Sequence, residues 1–160
     1  MAVRFTPGHV LGFEVPGTGR VAYALMLDTR AEFAFYEGGT AVSEEDGRAA
    51  LEREPLFIVG VYRMAYSKGR WGTMLFKVPT EQLPAIPPMF RQDQLNPQNL
   101  FIDDHLGNSR RATPEEIKGL EPNAVWAAEH VESRIADHWR GVPNAFVESM
   151  KYKPVTQKSD

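Results

Sequence analysis

The run LFIVGVY at residues 56–62 constrains the fold more than any other segment of the chain. It carries no charge and is rich in β-branched and aromatic side chains, a composition typical of a β-strand. A strand with one face in water alternates between apolar and polar residues, and this run does not alternate. The sequence therefore predicts a central strand with both faces partly covered, which requires elements packed on both sides of its sheet.

Other apolar runs, separated by Gly-rich or Pro-rich turns, predict an antiparallel arrangement around this strand. The predicted strands are 10–15 and 21–27 joined as a hairpin, 32–36, 56–62, a returning strand 71–78, a small hairpin of 101–103 with 108–112, and a last strand at 146–152. The stretch 79–100 is rich in proline, which removes backbone donors, and it is predicted to be irregular.

Two short helices are predicted from their N-terminal signals. Ser43 is followed by three acidic residues, a pattern that favours an N-cap and a helix ending near residue 53. Thr113 and Glu116 are spaced as a capping box, and Gly119 is expected to end the helix that follows.

One long helix is predicted over residues 124–140, with Asn123 as its N-cap and Gly141 as its end. Apolar residues recur there at spacings of three or four, which is typical of a helix with one face on a core. The residues expected to form the seam between this helix and the sheet are Trp126, Val131, Ile135 and Trp139.

These elements predict an α+β fold: a curved, mostly antiparallel sheet or a partly open barrel, with one long C-terminal helix packed on it. A length of 160 residues is typical of one domain. We predict a single domain over residues 1–152 and a flexible polar tail over residues 153–160.

Composition excludes several classes of function. The 18 basic and 21 acidic residues give a net charge of −3, which argues against general binding of nucleic-acid backbones. The chain has no cysteine, so disulfides, zinc–thiolate sites and thiol nucleophiles are excluded. No apolar run is long enough for a membrane span, and the first residues do not have the pattern of a secretory signal. We therefore expect a cytoplasmic protein with neither membrane nor nucleic acid as a partner.

No motif in the sequence specifies an active site. His130 and His138 lie eight residues apart in the predicted helix, which is too far to share one metal ion. Residues 103–105 (Asp-Asp-His) are interpreted as a polar turn in preference to a cation-binding loop. Nucleophile elbows, P-loops and dinucleotide fingerprints are absent from the sequence. We predict no catalysis, no metal and no cofactor.

Aromatic residues cluster with cations around residue 70, an arrangement that single-strand nucleic-acid binders also use. The aromatic residues are Tyr62, Tyr66, Trp71 and Phe76, and the cations are Lys68 and Arg70. Two cations in an acidic chain are few for that function. Core packing beside a basic turn is the preferred interpretation.

Several stretches, in order along the chain, together resemble the immunity protein 26 family. They are PGHVLGFEVP at 7–16 with GRVAYA at 19–24, LFIVGVY at 56–62 with GRW at 69–71, and GLE at 119–121 with AVW at 124–126, EHV at 129–131 and RI at 134–135. The resemblance implies a mostly β-structured bacterial protein that neutralises the toxin domain of a polymorphic toxin system, with no catalytic residues carried over. Ala22 and Ala24 stand where this family is expected to have a glycine, and the Pro-rich stretch is longer than expected.

For the toxin-binding surface we predict two segments, the acids Glu44, Glu45 and Asp46 and the loop residues Phe90, Arg91, Asp93 and Gln94. The acids are the densest patch of one charge in the chain and would steer a basic partner. An exposed Phe90 would supply an apolar anchor, and its charged neighbours would supply directional contacts. A competing interpretation is that Phe90 covers the core and the acids are merely solvated. The alternative function is a β-rich binding module for nucleic acid or a small ligand.

Overall fold

The computed structural model describes residues 2–28 and 31–155, and these form two compact units. The larger unit holds the described residues up to 86 together with residues 124–144, and the smaller unit holds residues 87–123 and 145–155. The single domain over residues 1–152 stays a prediction. Of the predicted tail, residues 153–155 belong to the smaller unit, and residues 156–160 lie outside the described ones.

The elements of the larger unit follow the order expected from the sequence, with local differences. Its strands are β1 (His9–Val15), β2 (Arg20–Met26), β3 (Glu32–Glu37), β4 (Phe57–Val61), β5 (Phe76–Lys77) and β9 (Val125–Trp126), and its helices are α1 (Glu44–Ala50) and α2 (Ala128–Arg140). The smaller unit contains β6 (Met89–Gln92), β7 (Leu100–Asp103), β8 (Ser109–Ala112) and α3 (Ala145–Met150). Short 3₁₀ turns lie at Arg63–Ala65 and Thr80–Gln82.

The larger unit is built on one six-stranded sheet with the order β5–β1–β2–β3–β4–β9. Neighbouring strands are antiparallel, except that β4 and β9 run parallel. The two edge strands have two residues each, and the sheet is not closed into a barrel. The predicted α+β fold on a mostly antiparallel sheet is confirmed.

The apolar run at residues 56–62 is covered on both faces, as predicted. Val59 and Val61 are each 1% exposed, and Ile58 on the opposite face is 9% exposed. However, β4 lies next to the edge strand β9, and β2, with six of its seven residues buried, occupies the middle of the sheet. A continuous apolar run therefore indicates that both faces are covered, and it does not indicate a place in the strand order.

One face of the large sheet is packed with aromatic rings. Phe13 stacks on Trp71 with ring centres 5.1 Å apart, and Phe35 meets Trp71 edge-on at 5.4 Å. Phe57 stacks on Trp126 at 6.3 Å. Such ring pairs stabilise a core beyond the area that they bury.

The opposite face packs against α1. Its buried cluster consists of Val10, Val21, Tyr23, Leu25, Leu27, Ala34, Tyr36, Ala50, Ile58 and Phe76. Tyr66, Trp71 and Phe76 are buried, so the preferred interpretation of those aromatic residues as core is confirmed for these three. Tyr62 differs, because 56% of it is exposed.

Helix α2 packs on the aromatic face through Val131 and Ile135, which are fully buried. The guanidinium carbon of Arg134 lies 3.9 Å from the centre of the Phe57 ring. Trp139 is half-buried, and its Nε1 donates to a carboxylate oxygen of β3 at 2.8 Å. Gly141 ends the helix in the left-handed conformation at φ +68°, as predicted.

The beginning of the long helix was predicted wrongly. The helix starts at Ala128 with Ala127 as its N-cap, and Asn123 does not cap it. The preceding residues Val125–Trp126 form β9, and the backbone N–H of Tyr62 donates to the carbonyl of Trp126 at 2.9 Å. Because a sheet edge has backbone groups that need partners, this pairing outweighs the local preference for helix.

The predicted returning strand over residues 71–78 is also wrong in most of its length. Gly69 and Gly72 both have a φ of +83° and form turns on either side of Trp71, which places that indole in the core. Only Phe76–Lys77 forms a strand, and it pairs with β1 and not with β4.

In the smaller unit, the predicted hairpin of β7 and β8 is confirmed, and β6 extends it to three antiparallel strands. Strand β6 lies in the stretch predicted to be irregular, which is a correction. The core consists of Phe90, Leu100 and Ile117, with Ile102, Ala112, Leu120 and Tyr152 packed against it. The backbone of Lys153 exchanges two hydrogen bonds with the side chain of Gln92, of 2.9 and 3.1 Å.

Two further expectations in this unit are corrected. The capping-box bonds between Thr113 and Glu116 are present, at 3.1 and 3.3 Å, but residues 114–119 form turns and not a helix. Gly119, at φ +80°, leaves too few residues for helical propagation. Ala145–Met150 form α3 where a strand was predicted, so a single long C-terminal helix is not confirmed. No helix in the described part of the chain has the length and apolarity that a membrane span requires.

The buried position of Ile135 predicts a large cost for its truncation. Ile135→Ala should lower the free energy of unfolding by about 2–5 kcal/mol, because it removes buried methyl groups and leaves a cavity. His138→Ala, at an exposed position of the same helix, should change it by less than about 0.5 kcal/mol. Chemical denaturation of the two variants measures both values, and equal stabilities would contradict the assignment of Ile135 to the core.

Candidate functional site

One buried carboxylate connects Arg70 and Trp71 to α2. Glu132 is 7% exposed, and both of its oxygens accept hydrogen bonds of 2.8 Å from Nε and Nη2 of Arg70. The indole Nε1 of Trp71 donates to the same carboxylate at 3.0 Å. These hydrogen bonds from Arg70 to Glu132 raise the pKa of the guanidinium. The arrangement satisfies a buried charge in full and is therefore structural.

A second carboxylate reaches the same guanidinium from the surface. Nη1 of Arg70 donates to Glu129 at 3.0 Å, but the side chain of Glu129 is 67% exposed. The pKa of Glu129 is lowered, first by a hydrogen bond from its own backbone N–H at the start of α2 and next by the charge of Arg70. The same arginine thus makes one buried and one exposed ion pair.

The three acids predicted for partner binding have two different roles: Glu44 and Glu45 are exposed, whereas Asp46 is bonded to the sheet. Glu44 and Glu45 are exposed at the start of α1, and Glu44 is paired with Arg48 at 2.9 Å. The side chain of Asp46 instead accepts hydrogen bonds from the backbone N–H of Gly39 at 2.9 Å and from the hydroxyl of Tyr23 at 2.7 Å. Those two bonds, in that order, lower the pKa of Asp46. Asp46 therefore anchors α1 to the sheet.

The close approach of α1 to the sheet depends on a glycine. A Cβ at Gly47 would lie 2.7 Å from the ring of Phe76, a distance that real Cβ atoms essentially never show, and 3.0 Å from that of Tyr23, which is tighter than most real Cβ contacts. Burial is the main cause that raises the pKa of Tyr23, to about 12. The hydroxyl of Tyr23 therefore stays protonated and donates to Asp46 at neutral pH.

The predicted loop residues also divide. Phe90 is 6% exposed and lies in the core of the smaller unit, so the expectation of an exposed anchor is wrong, and for Phe90 the competing interpretation is correct. Asp93 accepts hydrogen bonds from the backbone N–H groups of Leu95 and Asn96, at 2.9 and 3.2 Å, and forms a turn. Gln94 is exposed.

Arg91 belongs to a row of three side chains across the small sheet. In the strand register, Phe101 is the partner of Arg91 on β6 and of Arg111 on β8. The guanidinium carbons lie 4.3 Å and 5.6 Å from the centre of the Phe101 ring, respectively. We call these three residues the arginine row. Cross-strand partners project on the same face, so the row lies on the face opposite to Phe90.

Asp103 holds one end of the arginine row in place. It accepts bonds from Arg91 Nε at 3.0 Å, from Ser109 at 2.6 Å and from Asn123 at 2.9 Å. Burial acts to raise the pKa of Asp103, and these three bonds together hold it below the usual range. Arg91 is therefore a fixed cation with a committed partner.

Sequence reasoning missed Phe101, Arg111 and Glu132. The alternation of faces along a strand predicts which residues share a face within β7 or β8. Only the register between strands shows that Phe101 lies between Arg91 and Arg111. Glu132 lies 62 residues from Arg70, and no local signal connects two such positions.

Three large apolar side chains are exposed at the β4–β9 end of the larger unit. Tyr62, Met64 and Val125 are 56%, 66% and 48% exposed. Val125 pairs with Gly60, which has no side chain to cover it. Tyrosine and methionine are enriched in protein interfaces.

Comparisons with protein families, curated proteins and solved structures found no match to this chain. Within residues 2–28 and 31–155, no three acidic or histidine side chains are grouped closely enough to hold a metal ion. The roles of the candidate surfaces therefore follow from their own charges, exposure and contacts.

The unequal burial of the two acids that bind Arg70 predicts unequal costs of removing them. Glu132→Ala leaves the indole N–H of Trp71 buried without this acceptor and should cost roughly 2–4 kcal/mol of stability. Glu129→Ala removes an exposed ion pair and should cost less than about 1 kcal/mol. Thermal and urea unfolding of both variants measure the difference. Comparable losses in the two variants would contradict a structural role for Glu132.

The lowered pKa of Asp46 predicts how stability depends on pH. Because its folded pKa lies below the unfolded value, its contribution is present above about pH 4 and is lost as the pH falls through the folded pKa. Asp46→Asn should cost about 1 kcal/mol at pH 7 and show a smaller loss of stability between pH 6 and about pH 2. Glu45→Gln is the control and should keep the wild-type profile. Parallel profiles for wild type and Asp46→Asn would show that the carboxylate has no anchoring role.

Proposed function

We propose that this chain is an immunity protein, a cytoplasmic bacterial protein that binds the toxin domain of a polymorphic toxin system and occludes it without catalysis. The observation that carries the proposal is that the stretches resembling the immunity protein 26 family contact one another. Arg70 of the GRW stretch binds Glu129 of the EHV stretch at 3.0 Å, 59 residues away. Trp71 of the same stretch stacks at 5.1 Å on Phe13 of the first stretch. The resembling stretches thus form one framework around Trp71.

The separation between residues that maintain the scaffold and the exposed acids of α1 also supports the proposal of a binding protein. Aromatic and charged residues in the resembling stretches, such as Phe13, Arg70 and Trp71, maintain the scaffold. The exposed acids of α1, Glu44 and Glu45, lie outside those stretches. A scaffold that is separate from its recognition surface can bind different partners without a change of fold.

A basic toxin surface is the expected complement of the α1 acids. Glu45 is exposed and makes no ion pair with any described residue, and Glu44 shares its charge only with a neighbour on the same helix. Acids at a helix start are also stabilising without any partner. Their role in binding is therefore best measured through association rates, which long-range charge controls.

The direct test is neutralisation and binding of the toxin domain encoded beside this protein. Co-expression of the chain should restore growth of cells that produce the toxin, and the purified pair should co-elute. The double variant Glu44→Lys/Glu45→Lys should slow association at least about tenfold at low salt and flatten its salt dependence. The control Glu14→Lys/Glu81→Lys makes the same charge change at exposed positions of the same unit and should slow association much less.

Different outcomes test the immunity function and the role of the α1 acids independently. Toxicity that persists in the presence of the wild-type chain, without complex formation, would refute the immunity function. Normal neutralisation with equal kinetics for both double variants would leave the function intact and exclude the α1 acids from the interface.

A further inference from the structure

We infer that the arginine row of Arg91, Phe101 and Arg111 is a binding site for a carboxylate-rich segment of a protein partner, with Arg111 as the residue that binds the carboxylate. This deepens the proposed function, on which the identity of that partner as the toxin domain depends. The site itself lies entirely in the smaller unit.

Arg111 is the guanidinium in the row that has no fixed acidic partner. Arg91 is paired with Asp103 at 3.0 Å, whereas Arg111 is exposed and contacts no carboxylate among the described residues. The ring of Phe101 lies between the two strands that carry these cations, so it restricts the guanidinium groups without neutralising them. A guanidinium has five donors in a planar fork that matches a carboxylate. Because the Phe101 ring already restricts the Arg111 guanidinium, less side-chain entropy of Arg111 is lost when a carboxylate binds.

The edge of β8, the strand that carries Arg111, favours recognition through side chains over the addition of a further strand. Nη1 of Arg110 donates to the carbonyl of Arg111 at 3.2 Å and also binds Glu116 at 2.7 Å. This cation occupies an acceptor on the edge of β8 that a further strand would need. A partner therefore meets the face of the sheet, where Arg111 projects, and does not extend the sheet.

The surroundings of the row favour a protein segment over nucleic acid. A guanidinium carbon lies over the Phe101 ring at 4.3 Å, where a base would otherwise stack. Asp103 shares the face of the row, and it repels a continuous chain of phosphates. On this face the cations Arg91 and Arg111 lie beside the anion Asp103, and such a mixed surface suits the mixed donors and acceptors of a protein. Isolated carboxylates on a peptide satisfy it better than a polyanion.

The test titrates the full chain with a blocked hexapeptide of sequence Ser-Glu-Gly-Ser-Glu-Gly, in which the two carboxylates are separated, and, separately, with a twelve-residue oligothymidylate, followed by NMR chemical shifts. The peptide should shift the signals of residues 101 and 109–111 and saturate. Arg111→Gln should weaken peptide binding at least about tenfold, and Arg111→Lys should weaken it less. Arg63→Gln, an exposed arginine of the larger unit, is the matched control and should bind as the wild type does. Spectra of the variants without ligand establish that each is folded.

Three results would overturn the inference: no saturable shift with the glutamate-containing hexapeptide, equal peptide affinity of wild type and Arg111→Gln, or tighter binding of oligothymidylate than of the peptide. None of them bears on toxin neutralisation, which is measured by co-expression. A protein that binds the peptide through Arg111 but does not neutralise the toxin would keep this site and refute the immunity function.

Discussion

The carboxylate of Glu132 is the interaction on which the packing of the larger unit depends. A buried charge is tolerated only where donors surround it, and here Arg70 and Trp71 provide three hydrogen bonds. The indole so fixed contacts the rings of Phe13, Phe33 and Phe35, which belong to two different strands. One acid on α2 thereby sets the position of the helix and of the aromatic layer together. Apolar contacts alone would allow the helix to slide, since they have little directional preference.

Local signals in the sequence predicted those parts of the fold that local physics controls. The β1–β2 hairpin, the N-cap at Ser43 and the end of α2 at Gly141 each depend on a few adjacent residues. The failures occur where a distant group competes. Residues 125–126 pair with β4 because its edge needs backbone partners, and residues 71–75 do not form a strand because the turns at Gly69 and Gly72 direct Trp71 into the core. Neither competitor is visible in a window of ten residues.

The candidate site shows the same division. Exposure of Glu44 and Glu45 follows from their place at a helix start, and both are exposed. Asp46 follows them directly, yet it is bonded to Gly39 and Tyr23, because a helix turns successive side chains by about 100°. Phe90 is buried and its neighbour Arg91 is exposed, since successive residues of a strand face opposite sides. Charge density along a sequence therefore overstates the charge that a surface presents.

A net charge of −3 conceals exposed groups of opposite sign. The larger unit presents acids on α1, and the smaller unit presents the arginine row. A basic surface is attracted by the acids of α1, whereas in the arginine row Arg91 is already paired with Asp103 and Arg111 is left to attract an isolated carboxylate. Charges of both signs narrow the set of complementary partners more than they raise the affinity for any one of them. The net charge of a chain therefore predicts neither the sign of a local surface nor the charge of the group that this surface attracts.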